Sequence, residues 1–177
     1  MAKILIIITA FMILTKGNIF SQRSGFTLIE LMVVFLILTL VYSFVVLAIK
    51  PGEIRQKAHD VARIADINKI SAAIEAYISD RGVPPDVANV IRGSTISVGL
   101  GSPSLSNGQG WIGEDLSRYL EKLPLDPINV NPYFYRYRDN GVKYEIDALL
   151  EFYFEAASKD GGNDSLRYER GTDLTIL

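Results

Sequence analysis

The chain has 177 residues, with 18 basic and 20 acidic side chains, one histidine and no cysteine. Disulfides, thiolate catalysis and cysteine-based zinc sites are excluded, and His59 alone cannot supply a histidine-rich metal site. Lys3, Lys16 and Arg23 are the only charges before Phe26, and Glu30 is the single acidic residue among the first 50. The remainder is mildly acidic, a poor composition for general nucleic-acid binding.

Ile4–Leu14 is an apolar stretch of 11 residues, too short to span a bilayer. It has the character of a secretory-signal core behind Lys3, but no small-x-small cleavage site follows it. From Phe26 to Ile49 the chain reads FTLIELMVVFLILTLVYSFVVLAI, 24 residues with one charge. As a helix this rises about 36 Å, enough for a hydrocarbon core of about 30 Å. Such length and composition predict a membrane-spanning helix over a buried soluble one. Lys50, Pro51 and Gly52 end the apolar run.

Glu30 is the informative residue of this segment. A carboxylate inside a spanning helix costs roughly 2.5–3.5 kcal/mol on insertion scales and usually has a partner. No lysine or arginine lies within 26–49. Three readings stay open: a carboxylate in the headgroup layer, a protonated acid, or a pair with a free amine made by cleavage before Phe26. That amine would lie four residues away, on the same helix face.

Gly25-Phe26-Thr27-Leu28-Ile29-Glu30-Leu31-Met32-Val33-Val34 resembles the prepilin cleavage and methylation motif of type IV pilins, competence pilins and type II secretion pseudopilins. The resemblance implies that Gly25 is the last leader residue and that a prepilin peptidase cuts after it and methylates the amine of Phe26. It also implies that Glu30 pairs with a neighbour's N-terminus during assembly. The expected organisation is a leader over 1–25, a membrane and polymerisation helix over 26–50, and an extracytoplasmic domain over 51–177. The expected location is the inner membrane, followed by a filament at the periplasm or cell surface. Other pilin-like subunits, an assembly platform protein and a cytoplasmic motor are the implied partners. Family leaders are short and basic; starting at Met12 rather than Met1 would leave a 14-residue leader carrying Lys16 and Arg23.

Glu53–Arg81 has the periodicity of an amphipathic helix. Ile54, Ala58, Val61, Ala65, Ala72, Ala73 and Tyr77 suggest the apolar stripe, with Ile70 and Ile74 beside it. Arg55, Lys57, Asp60, Arg63, Asp66 and Lys69 suggest the charged face, and His59 a solvated position. Gly82 caps the helix and Pro84-Pro85 forbids its continuation. Pro51 predicts a kink or melted turn, or the end of the spanning helix at the interface.

Further along, 87–110 reads as a loop with one short strand, its glycines serving turns rather than phosphate binding. Glu114–Leu123 reads as a short helix ended by Pro124. Tyr133–Arg138, a turn at Asp139-Asn140-Gly141, and Val142–Leu150 form a hairpin. Glu151–Ala157 could extend the strand or form a helix, and Arg167–Glu169 could add a third strand. The fold class is α+β: a long N-terminal helix on a small antiparallel sheet. The order Leu123-Pro124-Leu125-Asp126-Pro127, Pro132-Tyr133, Tyr135-Arg136-Tyr137 and Tyr144-Glu145-Ile146 resembles the pseudopilin and minor-pilin core.

Asp160-Gly161-Gly162-Asn163-Asp164-Ser165 clusters oxygen donors among glycines, as calcium sites do, but without EF-hand spacing. Major pseudopilins bind calcium in a loop near this position, so the resemblance makes Asp160 and Asp164 candidate ligands beside the plain reading of a polar turn. Functionally, a filament subunit is the leading expectation. Alternation leaves half of the aromatics Tyr133, Phe134, Tyr135, Tyr137, Tyr144, Phe152, Tyr153 and Phe154 in the core and half exposed. A membrane-anchored binding module, with the variable loop and an exposed aromatic strand carrying Arg136 and Arg138 for adhesion, sugar or DNA, is the alternative. No nucleophile–histidine–acid order suggests an enzyme.

Overall fold

The structure is a computed structural model that describes residues 25–177. The leader expectation before Gly25, and the choice between Met1 and Met12, lie outside the described residues. The chain forms two compact units, one ending at Ala48 and the other covering Ile49–Leu177.

Helix α1, Leu28–Ile49, is apolar on all sides. Every side chain described from Phe26 to Leu47 is exposed. Twenty residues, Leu28–Leu47, are long and apolar enough to cross a membrane. Its weakly polar residues bond to their own backbone: Thr39 Oγ1 donates to the carbonyls of Phe35 and Leu36, and Ser43 Oγ to that of Thr39. This removes the cost of leaving hydroxyls unsatisfied in hydrocarbon.

Helix α2, Pro51–Arg81, follows after a single residue. Lys50 adopts a left-handed conformation (φ 46°), which ends the preceding helical pattern. Pro51 opens α2, where its missing N–H costs nothing. The expected break is therefore one residue wide. At the other end Gly82, with φ 81°, donates its N–H to the Ile78 carbonyl at 2.7 Å, as a C-terminal glycine should.

The buried stripe of α2 differs from the expected one. Ile54, Val61 and Ala72 are exposed, and Asp60 and Arg63 are fully buried. The stripe runs Asp60, Arg63, Ile67, Ile70, Ile74, Tyr77, a helical spacing whose first two members are charged. Charge can be buried there because partners arrive from distant segments. Arg63 Nε donates to Asp126 Oδ2 at 2.6 Å, and Nη1 to Asp60 at 2.9 Å and Glu151 at 2.7 Å. Asp60 accepts three further bonds, from the N–H groups of Glu151, Phe152 and Tyr153. Burial works to lower the Arg63 pKa, but the hydrogen bonds it donates to Asp126 and Glu151 outweigh it and leave it raised. His59, expected in solvent, is half-exposed with its Nδ1 2.9 Å from Glu151 Oε1.

Four strands form one antiparallel sheet in the order β1-β2-β3-β4. They are β1 Arg92–Gly93, β2 Tyr135–Asp139, β3 Tyr144–Leu149 and β4 Arg167–Gly171. Period-two alternation sends Tyr135, Tyr137, Tyr144, Ile146, Ala148 and Tyr168 to the face against α2. Their hydroxyls are satisfied there: Tyr135 donates to Asp66, Tyr137 to the Pro85 carbonyl, and Tyr144 meets Ser71. The open choice at 151–157 resolves as a five-residue helix, α3 Phe154–Ser158.

The short helix expected over Glu114–Leu123 is not formed. One turn exists, with the N–H groups of Tyr119 and Leu120 both donating to the Leu116 carbonyl. Isolated bridges join Asn107 to Asp115 and Leu105 to Lys122, and Ser106 Oγ donates to the Glu121 carbonyl. These ties spend the backbone groups a helix would need. They close the segment around buried Trp111, Ile112, Leu116, Leu120 and Leu123, which carry the helix-like periodicity without the helix.

Candidate processing and assembly site

The start of α1 is built by a local cap. Thr27 Oγ1 accepts from the N–H of Glu30 at 3.2 Å, and the Thr27 carbonyl from the N–H of Leu31. Thr27 and Glu30 have the spacing of a capping box, in which the first side chain satisfies a helix donor that would otherwise be orphaned. Sequence reasoning passed over Thr27, although threonine three residues before a glutamate is the signal for it.

This cap moves the helix start past Phe26, which is 80% exposed and precedes the first turn. The expected same-face pairing of Phe26 and Glu30 within a continuous helix is thus replaced by a loop-to-helix juxtaposition. Gly25, Phe26, Thr27 and Glu30 line one concavity. Glu30 lies in the first turn, where the helix dipole favours an anion. Among the described residues, no side chain hydrogen-bonds its carboxylate.

Comparison with known proteins agrees with this motif. The prokaryotic N-terminal methylation motif matches residues 20–46. The type II secretion system core protein G of Pseudomonas aeruginosa is 34% identical over 144 residues, covering 81% of this chain and 91% of that protein. The chain belongs to the type IV pilin and type II secretion pseudopilin family. Within that family it is a structural subunit of a pilus or pseudopilus filament. No solved structure matches.

In this pilin-like subunit the other predicted residues lie in two places, the loop before β4 and strand β2. Asp160 Oδ1 accepts from the N–H of Gly162 at 2.8 Å, and its Oδ2 from that of Glu169 at 2.7 Å. Asp164 Oδ1 accepts from the N–H of Leu166 at 2.9 Å. Both aspartates therefore shape the loop before β4, as Asx turns do. Of the aromatics, Tyr135, Tyr137 and Tyr144 are buried, Tyr133 and Phe134 are partly buried, and Phe152, Tyr153 and Phe154 are exposed. Arg136 is engaged with Asp147, and Arg138 donates to the Ile176 carbonyl.

Proposed function

We propose that the chain is a precursor with residues 1–25 as leader, cut between Gly25 and Phe26 by a prepilin peptidase that methylates the new amine. The mature chain is held in the inner membrane by the helix of residues 26–50, with residues 51–177 outside the cytoplasm. It is then drawn into a type II secretion pseudopilus with other pilin-like subunits by a platform protein and a motor. Its role is structural and not enzymatic.

The observation that carries this reading is Glu30. A single carboxylate opens an apolar helix that has no basic side chain, one turn from the proposed cut. An N-terminal amine supplied by a neighbouring subunit would neutralise it where water is scarce, and would set the axial offset between subunits. Identity with the secretion core protein over most of both chains supports the choice of filament.

N-terminal peptide mass spectrometry of the protein from its native membranes tests the processing step. A first residue of Phe26, carrying a methyl group, is expected. A chain that keeps residues before Phe26 beside an active prepilin peptidase would overturn it.

A further inference from the structure

The segment after β3 carries three successive aromatics that the core does not use. Phe152, Tyr153 and Phe154 are each 37–41% exposed. Adjacent exposed rings of this size mark an interaction surface.

The turn that presents them is fastened to α2. Buried Asp60 accepts from three successive N–H groups, those of Glu151 at 2.9 Å, Phe152 at 2.7 Å and Tyr153 at 2.9 Å. Arg63 holds Asp60 and Glu151 together from below. With its backbone tied this way, the turn cannot swing its rings into the core. The Phe152 and Tyr153 rings meet edge to face with centroids 5.5 Å apart. Lys57 lays its Nζ 4.3 Å from the Phe152 ring centroid, which joins the aromatic turn to the first turns of α2. Ile54, Lys57 and Val61 stand at i, i+3 and i+7, on one helical face, and Ile54 and Val61 are more than half exposed.

Chain connectivity limits what can cover this surface. One residue, Lys50, separates the end of α1 from Pro51. Lys57 is six residues further on, about 9 Å along the axis of α2. That height is reached only if α2 stands along the membrane normal; a tilt toward this face lowers the aromatic turn. The headgroup layer is about 5–8 Å thick on each side of the hydrocarbon core. A modest tilt therefore sets the turn among headgroups. Charge fits the same cover. Residues 50–59 hold Lys50, Arg55 and Lys57 against Glu53 alone. Of the nearby acids, Glu151 is engaged by Arg63 and Glu155 by Lys159. Aromatic rings beside lysine and arginine are the composition of a membrane interface, with rings among the headgroups and cations at the phosphates.

We propose that Phe152, Tyr153, Phe154 and Lys57 form an interfacial foothold that seats the outer unit on an anionic lipid surface before assembly. The proposal rests on the reading of α1 as the membrane helix. Drawing the subunit into a filament then has to lift this foothold as well as extract α1.

The chain has no cysteine, so one introduced cysteine can carry a nitroxide depth label. The test uses the full chain in nanodiscs of phosphatidylglycerol and phosphatidylethanolamine, labelled singly at L36C in α1, E155C beside the turn, or S102C in an exposed loop. Collision with a water-soluble nickel chelate should be at least threefold lower at E155C than at S102C. F152S/F154S should restore it to the S102C level while L36C stays shielded. Equal collision at E155C and S102C, with L36C shielded, would overturn the foothold and leave the membrane helix standing. An L36C label open to nickel would overturn the membrane helix and the foothold with it. Protection of E155C found only in sheared filaments would overturn the lipid contact in favour of a neighbouring subunit. Should F152S/F154S lose its thermal transition, lipid exchange on the native sequence decides. Replacing phosphatidylglycerol with phosphatidylcholine should raise collision at E155C at least twofold, and no change would overturn the anionic-lipid contact.

Discussion

Glu30 and Arg63 are both charges set among apolar neighbours, and the two units of the chain treat them in opposite ways. Arg63 is wholly buried and surrounded by Asp60, Asp126 and Glu151, with the Tyr133 ring 4.9 Å from its guanidinium carbon. Every partner comes from the same chain, so this charge is satisfied as the outer unit folds. Glu30 sits on a helix whose described neighbours supply no counter-charge. Among the described residues its carboxylate has no side-chain partner. A charge satisfied internally holds a fold together; a charge left over is the one proposed to direct assembly.

The largest effect should come from Glu30. Glu30→Ala is expected to reduce filaments in sheared cell-surface or periplasmic fractions more than tenfold, with thermal melting of the outer unit unchanged. Normal filaments from this variant would break the comparison, because the unmatched charge would then have no assembly role. Arg63→Met probes the other side. Removing one member of a buried ion group strands the rest, at a cost of about 3–5 kcal/mol. Denaturant unfolding of the full chain in detergent should report that loss, and a stability equal to the native chain would contradict the account of the cluster.

Asp86 sharpens the contrast through pH. Its carboxylate accepts from Arg92 and from the N–H groups of Val87 and Gly113. Burial acts to raise its pKa, but Arg92 and the two N–H groups outweigh burial and hold it below the ordinary 3.8. A depressed acid contributes stability that is complete above the unfolded-state value and is lost as pH falls through the folded one. Asp86→Asn should therefore be less stable than the native chain at neutral pH by about 1–2 kcal/mol. The two should converge below pH 3.8 in melting curves. Asparagine tolerates the left-handed conformation of this position (φ 81°), so backbone strain does not confuse the result. The smallest effect is expected at Lys143, whose pair with Asp173 is 52% exposed on the lysine side. Lys143→Ala should change stability by less than about 0.5 kcal/mol.

The spanning helix, the proposed cut and the family were legible in the chain because each rests on local chemistry. A run of 24 apolar residues needs a non-aqueous cover whatever surrounds it. A lone glutamate after Gly25-Phe26 stands out against such a run. Gly82 and Pro84 stop a helix, and Asp139-Asn140-Gly141 turns a strand, through their own backbone preferences. Only the tertiary structure decided which charges are inside. Asp60 and Arg63 read as solvated because their partners, Asp126 and Glu151, lie 63 to 91 positions away along the chain. Leu116, Leu120 and Leu123 read as a helix because burial periodicity does not reveal that Ser104, Ser106 and Asn107 will claim the backbone groups of that segment. Glu145 and Glu169 fall within the predicted strands, and nothing local marks them as buried. They are covered because the loop before β4 and the last residues close over them, a consequence of long-range packing that no local pattern encodes.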